Sequence, residues 1–279
     1  MPNQTYQAAV AQHQAGQASA AEELYQEVLV GDPQHMDAVF NLAALLASQG
    51  RFGEAIPLYQ QVLAVLPEDP DTLSNLGNAH AQAGQLDEAA DCYRRALAEN
   101  PLFSAAHANL GNLLYQQGDT TAAIDCYHQA ISIDPAIPNA HNNLGSILMA
   151  AGRNEEARES YQAALRADPN SPDACKNFGN ILLSFGDAEG AVEALHQATV
   201  LAPKWAAAHA DLGLALTRLD RFAEARAALE AALALEPNFI EAWNCLGNLL
   251  LLMEQHDDCE QVLKRARELD PDSTLTAFH

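Results

Sequence analysis

Asparagines recur at one position of a 34-residue period, and their type and spacing suit one kind of chemistry. The first set is Asn41, Asn75, Asn109, Asn143 and Asn177, and a second set three residues further along the period is Asn78, Asn112, Asn180 and Asn248. Residues three apart share a helix face. A carboxamide carries both a donor and an acceptor, so it can pair with the N–H and the C=O of a peptide. These nine residues, the asparagine ladder, therefore predict a row of groups suited to polypeptide backbone of any sequence.

Residues for catalysis or metal binding form no recognisable constellation in this sequence. It has no Gly-rich phosphate-binding loop, no His-Glu-x-x-His and no Cys-x-x-Cys. His107, His141 and His209 occupy equivalent positions of the period, but neighbouring repeats are too far apart for a shared metal ion. We interpret these histidines as packing residues and predict no enzymatic activity, no cofactor and no metal site.

Prolines mark the repeating elements that must position the ladder. Between them, apolar residues recur at steps of three and four, as in Leu110, Leu113 and Leu114, which predicts two amphipathic helices in each repeat. Glycine stands where the first helix must end, and Asp or Asn with Pro ends the second. The eight prolines, each 34 residues after the last, are Pro33, Pro67, Pro101, Pro135, Pro169, Pro203, Pro237 and Pro271.

Each repeat also carries a short motif of leucine, glycine, alanine and an aromatic or leucine at fixed spacing. Leu-Gly pairs such as Leu76-Gly77 are followed twelve residues after the glycine by an alanine, here Ala89, and then by an aromatic or leucine, here Tyr93. The pattern resembles the tetratricopeptide repeat (TPR) family, and Trp243-x2-Leu246-Gly247 meets its first motif most fully. The resemblance implies an all-α fold, a right-handed superhelical solenoid of eight 34-residue helix-turn-helix repeats.

The period also predicts the boundaries of the array. We expect one TPR array over residues 2–273, with a polar first repeat as its N-terminal cap. Residues 274–279 are predicted to be the start of a further helix or a tail. The predicted repeats are 2–35, 36–69, 70–103, 104–137, 138–171, 172–205, 206–239 and 240–273.

The resemblance implies where the ladder faces. In TPR proteins the first helices line a concave groove, and the similar asparagine ladder of O-linked N-acetylglucosamine transferases holds peptide backbone there. The predicted peptide site adds Lys176 and Asp211 to the nine asparagines. A second interpretation stays open, in which the asparagines bond to neighbouring repeats and serve only to stack them.

Charge and composition exclude some partners. The formal net charge is −23, so we expect no nucleic-acid ligand. The carboxylates are expected to solvate the outer helices, and a basic partner is the alternative interpretation. No run of eighteen apolar residues and no secretory signal is present, which predicts a cytoplasmic protein without a membrane span. The five cysteines fall at helical packing positions and are predicted to be free thiols.

These features predict a protein-interaction module or scaffold that binds an extended polypeptide in its concave groove. Three other hypotheses remain open. Similar bacterial arrays precede methyltransferase or glycosyltransferase domains, and this resemblance implies the first, a substrate-recruiting N-terminal arm of a larger transferase. The second is a self-associating scaffold, in which one end of the array enters the groove of another copy, and the third is a structural spacer. The carboxylate clamp of chaperone cofactors is not expected, because Asp211, Glu241 and Cys245 stand at its later positions.

Overall fold

The computed structural model describes residues 2–269 and places sixteen α-helices in that part of the chain. Odd-numbered helices are the first, and even-numbered helices the second, of each repeat. No strand occurs within residues 2–269, so the all-α prediction is confirmed. The helices are α1 (Pro2–Gln14), α2 (Ala18–Gly31), α3 (Met36–Ser48), α4 (Phe52–Val65), α5 (Pro70–Gln82), α6 (Leu86–Glu99), α7 (Ser104–Gln116), α8 (Thr120–Ile133), α9 (Pro138–Ala150), α10 (Asn154–Ala167), α11 (Pro172–Ser184), α12 (Ala188–Leu201), α13 (Ala206–Arg218), α14 (Phe222–Leu235), α15 (Ile240–Leu252) and α16 (His256–Leu269).

The chain divides into two compact units, Met1–Pro135 and Ala136–His279. Four helix pairs belong to each. Apolar residues of consecutive pairs form the core of the first unit, among them Tyr25 and Leu42. Leu216 and Leu249 do the same in the second unit. The predicted end of the last repeat, residues 270–273, and the predicted helix start or tail, residues 274–279, lie outside the described residues.

The two helices of a repeat pack through a seam of small residues. A Cβ atom added to Gly145 would lie 2.7 Å from Cε1 of Tyr161, so the ring occupies the space that a side chain would need. Gly213 has the same relation to Leu229, at 2.6 Å from Cγ. The alanines of the motif complete the seam and are fully buried: Ala21, Ala55, Ala89, Ala123, Ala157, Ala191 and Ala225.

The turn inside each repeat needs a left-handed residue. Glycine supplies it in the first six repeats, with φ between 73° and 87°, at no steric cost. In the last two repeats Asp220 and Glu254 adopt this conformation, with φ of 57° and 59°. Aspartate tolerates that region better than most residues, whereas a glutamate with positive φ is less common.

The turns between repeats are held by side chains. Asp69 accepts a hydrogen bond from the Thr72 amide (2.8 Å) and so caps α5. His107 Nε2 lies 3.0 Å from the carbonyl oxygen of Pro101, and His209 makes the equivalent contact with Pro203 at 3.1 Å. A carbonyl oxygen only accepts, so these rings donate to the turn.

Replacing Gly145 with alanine is expected to lower the free energy of unfolding by about 1–3 kcal/mol, because Tyr161 must move to admit the new Cβ. Gly53 in α4 is the matched control, since its added Cβ would meet nothing within 4 Å. Gly53→Ala should leave stability unchanged or raise it by about 0.4–1 kcal/mol. Urea unfolding, followed by circular dichroism, measures the free energy of unfolding of both variants. Equal changes in the two would contradict the close packing of the helices at Gly145.

Alkaline pH is expected to destabilise the fold. Burial raises the pKa of Tyr59 to about 12 and that of the Cys92 thiol to about 11. The stability linked to Tyr59 is fully present below its unfolded pKa of about 10. It is lost as pH rises towards 12, because the unfolded chain then releases a proton that the folded chain retains.

Urea midpoints at pH 8, 10 and 11 measure this loss. Tyr59→Phe removes one titrating group and should make the decline between pH 10 and 11 shallower. A midpoint that stays constant over the whole range would show that the buried tyrosines and thiols are not linked to folding.

Candidate functional site

Two adjoining cavities lie along α3, α5 and α7 of the first unit. The larger, of 380 Å³, has Asn75 on its wall together with apolar residues such as Phe52 and Tyr59. The smaller, of 270 Å³, has Asn109 and Asn112 on its wall. Asn78 and Gln82 line both cavities. The structure thus brings four ladder residues of the first unit to neighbouring positions on one surface.

A hydrogen-bond chain holds the centre of this surface. Asn78 Oδ1 accepts from the Tyr93 hydroxyl (2.7 Å) and from Asn109 Nδ2 (2.8 Å). The oxygen of Asn78 and the amide nitrogen of Asn109 are therefore used within the protein. Within residues 2–269, the amide nitrogen of Asn78 and the oxygen of Asn109 have no hydrogen-bond partner. One donor and one acceptor are left on neighbouring first helices.

The other ladder residues of the first unit also have contacts within the protein. Asn41 Nδ2 donates to the Tyr6 hydroxyl at 2.8 Å, which links α3 to α1. Asn75 Nδ2 donates to the Asp71 carbonyl oxygen in its own helix at 3.0 Å. The Tyr127 hydroxyl donates to Asn112 Oδ1, and Asn112 belongs to the exposed residues of α7. The stacking interpretation thus accounts for part of the ladder.

The second unit replaces part of the ladder with a charged cluster. Asp211 Oδ2 accepts from Asn180 Nδ2 (2.8 Å) and lies 3.2 Å from Lys176 Nζ. The side chains of Lys176 and Asp211 are only 18% and 26% exposed, so the pair is half-buried. Lys176 also lies over the ring of Trp205, 5.3 Å from its centre. Lys176 and Asn180 belong to α11. Trp205 is the N-cap residue of α13, and Asp211 lies within α13.

The remaining ladder residues of the second unit are spread over α9, α11 and α15. Asn177 Nδ2 donates to Asn142 Oδ1 at 3.1 Å. Asn143 is half-buried on α9, and Asn248 is exposed on α15. Cys245 takes the ladder position on α15, where burial, followed by the negative charges of Asp211 and Glu241, raises the pKa of its thiol.

Some residues of the site were not predicted from the sequence. Tyr6, Tyr93 and Asn142 are the partners of Asn41, Asn78 and Asn177. Tyr93 is the second-helix aromatic of the motif, so its position in the 34-residue period was visible in the sequence. The hydrogen bond from the Tyr93 hydroxyl to Asn78 was not visible, because it depends on how the two helices of the repeat pack.

Neither a metal-binding cluster nor a membrane-spanning helix occurs within residues 2–269. Over the described range 2–269, no group of three or more His, Cys, Asp or Glu side chains is arranged to hold a metal ion. In the same part of the chain, no helix combines the length and the apolar character that crossing a membrane requires.

Comparison with known proteins decides the family. A family model described as the cilia and flagella-associated protein 70 C-terminal domain matches residues 98–277, more than half of the chain, and a tetratricopeptide repeat model matches residues 35–98. The chain belongs to the tetratricopeptide repeat family. No curated protein matches the sequence of this TPR array.

Solved structures show the same fold at low sequence identity. The hetero-tetramer Cut9-Hcn1 of APC/C is 19% identical with a TM-score of 0.70, over 93% of this chain and 51% of that one. PilF of Pseudomonas aeruginosa is 21% identical with a TM-score of 0.66, over 75% and 96%. YrrB, a TPR protein with an unusual peptide-binding site, is 22% identical with a TM-score of 0.60, over 67% and 96%. The predicted TPR solenoid is therefore confirmed.

Replacing Asp211 with asparagine is expected to lower the free energy of unfolding by about 1–2 kcal/mol, because the half-buried Lys176 loses its counter-charge. The control is Glu224→Gln, which removes the negative charge from an exposed ion pair with Arg221, 2.7 Å long. Thermal melts at low salt and in 1 M NaCl should show a larger and less salt-sensitive loss for Asp211→Asn. Equal losses in the two variants would show that the cluster contributes no more than a surface pair.

Proposed function

We propose that this TPR array binds an extended segment of a partner polypeptide along the ladder face of its first helices, chiefly through the partner's main chain. TPR arrays serve in general as scaffolds for protein–protein interaction. The observation that supports the finer proposal is the pair of adjoining cavities on α3, α5 and α7, whose shared wall is Asn78 and Gln82.

The chemistry of these cavities suits a peptide unit. The amide nitrogen of Asn78 can donate to a ligand carbonyl, and the oxygen of Asn109 can accept from a ligand N–H. Gln82 and Gln116 add further neutral groups to the smaller cavity. A neutral lining with both donors and acceptors favours main-chain recognition over recognition of a charged side chain.

The hydrogen bonds inside the protein support ligand binding as well as stacking. The bond from Asn109 to Asn78 and the bond from Tyr93 to Asn78 fix both carboxamides in one orientation before a ligand arrives. Fixed groups lose less conformational freedom on binding, which strengthens the complex. The two interpretations of the ladder are therefore compatible.

Distances and energies limit what the ladder alone can do. Packed helices stand about 10 Å apart, and an extended chain advances about 3.3 Å per residue, so one repeat meets about every third ligand residue. At about 1 kcal/mol for each hydrogen bond, a few such contacts give only millimolar binding. Apolar walls of the larger cavity, including Phe52 and Tyr59, must add affinity and side-chain selectivity.

A proposal of this kind has a precedent within the fold. The structure of YrrB is described as that of a TPR protein with an unusual peptide-binding site. At 22% identity the likeness extends to the fold only, so the residues that bind must be tested in this chain.

The test starts from a random peptide library displayed on phage and selected on the wild-type protein. An enriched peptide should bind the Asn78→Ala/Asn109→Ala variant at least about tenfold more weakly, because the variant lacks both free groups. Tyr93→Phe is the matched control, since it breaks the same internal bond at Asn78 and keeps both carboxamides. Its affinity should fall by only about two- to fourfold, because it loses the orientation that the hydroxyl gives Asn78 but keeps both free groups. Thermal melts check that all variants are folded.

The same peptide with alternate main-chain nitrogens methylated separates backbone from side-chain recognition. Methylation removes the N–H groups from which the Asn109 oxygen would accept a hydrogen bond, so we expect binding to be lost. Unchanged binding of the methylated peptide, or equal losses in the double variant and Tyr93→Phe, would overturn the proposal.

A further inference from the structure

A third cavity of the first unit lies on another face of α5, between α4 and α6. Its volume is 650 Å³. Leu63, Leu76 and the buried Cys92 give it an apolar floor, and the first turns of α6 place Asp87 and Glu88 at its rim. None of the ladder residues lines this cavity, which we name the outer cavity.

His80 on the wall of the outer cavity departs from the repeat pattern. Its position in the period is leucine in every other repeat from the second to the eighth, and these residues are Leu46, Leu114, Leu148, Leu182, Leu216 and Leu250. A leucine at this place contributes to packing between helices. An imidazole there places polar nitrogens where the rest of the array has only apolar surface, which calls for hydrogen-bond partners.

One nitrogen of His80 has its partner within the protein. Nδ1 of His80 lies 2.6 Å from the side-chain oxygen Oε1 of Gln85. The main-chain N–H of Gln85 donates to the His80 carbonyl oxygen at 2.9 Å. Because a carboxamide oxygen only accepts, Nδ1 carries the proton and Nε2 of the neutral ring is left as an acceptor. His80 is 8% exposed and lines the cavity, and within residues 2–269 Nε2 has no hydrogen-bond partner.

The charges around the cavity favour a positively charged ligand that donates hydrogen bonds. Asp87, Glu88 and Asp91 add three carboxylates to the imidazole acceptor. The one cation on the wall, Arg95, lies 3.9 Å from Asp91 and donates to the carbonyl oxygen of Pro67 at 3.2 Å. Acidic residues in a first turn also stabilise the helix, so the carboxylates alone indicate no ligand. His80 is the independent feature that does.

We propose that the outer cavity binds the side chain of a lysine or arginine from a partner polypeptide. The cationic head donates to His80 Nε2 and pairs with the rim carboxylates. The aliphatic stem packs on Leu63 and Leu76, as the stems of such side chains do on apolar surface. A ligand with this combination of donors, positive charge and apolar stem complements the imidazole, the rim carboxylates and the apolar floor.

An equivalent cavity in the second unit provides a natural control. It has a volume of 490 Å³ and lies between α14 and α16, five repeats further along the period. Leu250 stands there in place of His80, and Gln261 in place of Asp91. Arg226 is a cation on the wall of this second cavity, and its Nε donates to Glu230 Oε1 at 2.8 Å. We expect no binding of a cationic side chain at this control cavity.

The experiment uses a fluorescein-labelled peptide, Gly-Ser-Leu-Lys-Leu-Ser-Gly, and a second peptide with norleucine in place of lysine. Fluorescence anisotropy at low salt measures affinity, and the NMR signals of the His80 ring report contact at the cavity. We expect the lysine peptide to bind, to shift those signals and to bind at least about tenfold more tightly than the norleucine peptide.

Three variants locate the effect. His80→Leu restores the residue of the other repeats, so it should keep or raise the thermal midpoint while weakening the lysine peptide at least about tenfold. Asp87→Asn/Glu88→Gln/Asp91→Asn should weaken it by a similar factor. The matched control, Glu230→Gln/Asp257→Asn/Asp258→Asn, removes three carboxylates near the control cavity and should change affinity less than about twofold.

Several outcomes would overturn the proposal. One is wild-type affinity in folded His80→Leu, which would show that the imidazole accepts nothing from the ligand. Equal losses in the two triple variants would reduce the effect to overall charge, and equal affinity for the norleucine peptide would exclude recognition of a cation. Binding of spermidine that the lysine peptide does not displace would exclude a polypeptide occupant.

Discussion

The close approach of the two helices within each repeat is the constraint on which the site depends. Gly77 leaves room for the ring of Tyr93, whose Cε1 would lie 2.7 Å from an added Cβ. Because the ring passes over a glycine, its hydroxyl reaches the face of α5 that carries the ladder and donates to Asn78. A larger residue at the seam would move the ring and the hydroxyl together. The seam thus stabilises the repeat and also sets the orientation of a ladder carboxamide.

The residue that fills the seam is one difference between the two units. Leu195, Leu229 and Leu263 fill the seam of the last three repeats, and leucine brings no hydroxyl to the ladder face. Asn180 turns instead to Asp211, which also holds Lys176. The neutral, amide-rich surface of the first unit therefore contrasts with the charged cluster of the second, where Asp211 stands at a ladder position and its carboxylate can only accept. A ligand that spans several repeats would meet different chemistry in each unit.

Period and residue type were enough to predict sixteen helices, the glycines at which the first helices end, and the family. They could not reveal the partners of the ladder, because the bonds from Asn109 to Asn78 and from Asn177 to Asn142 join residues 31 and 35 apart. Such contacts depend on side-chain orientation as well as on the register of neighbouring repeats. His80 is a different case. Its departure from a column of leucines was visible in the sequence, but the meaning of a histidine there required the cavity and the bond to Gln85.

Helix α5 carries both proposed sites. Asn75, Asn78 and Gln82 line the ladder cavities, whereas Leu76 and His80 line the outer cavity. Since the seam at Gly77 holds α5 against α6, neither site requires the helix to move, and occupation of one should leave the other open. A partner with an extended segment and a separate basic segment can then use both at once. The second contact becomes intramolecular, so two weak interactions give a much tighter complex than either alone.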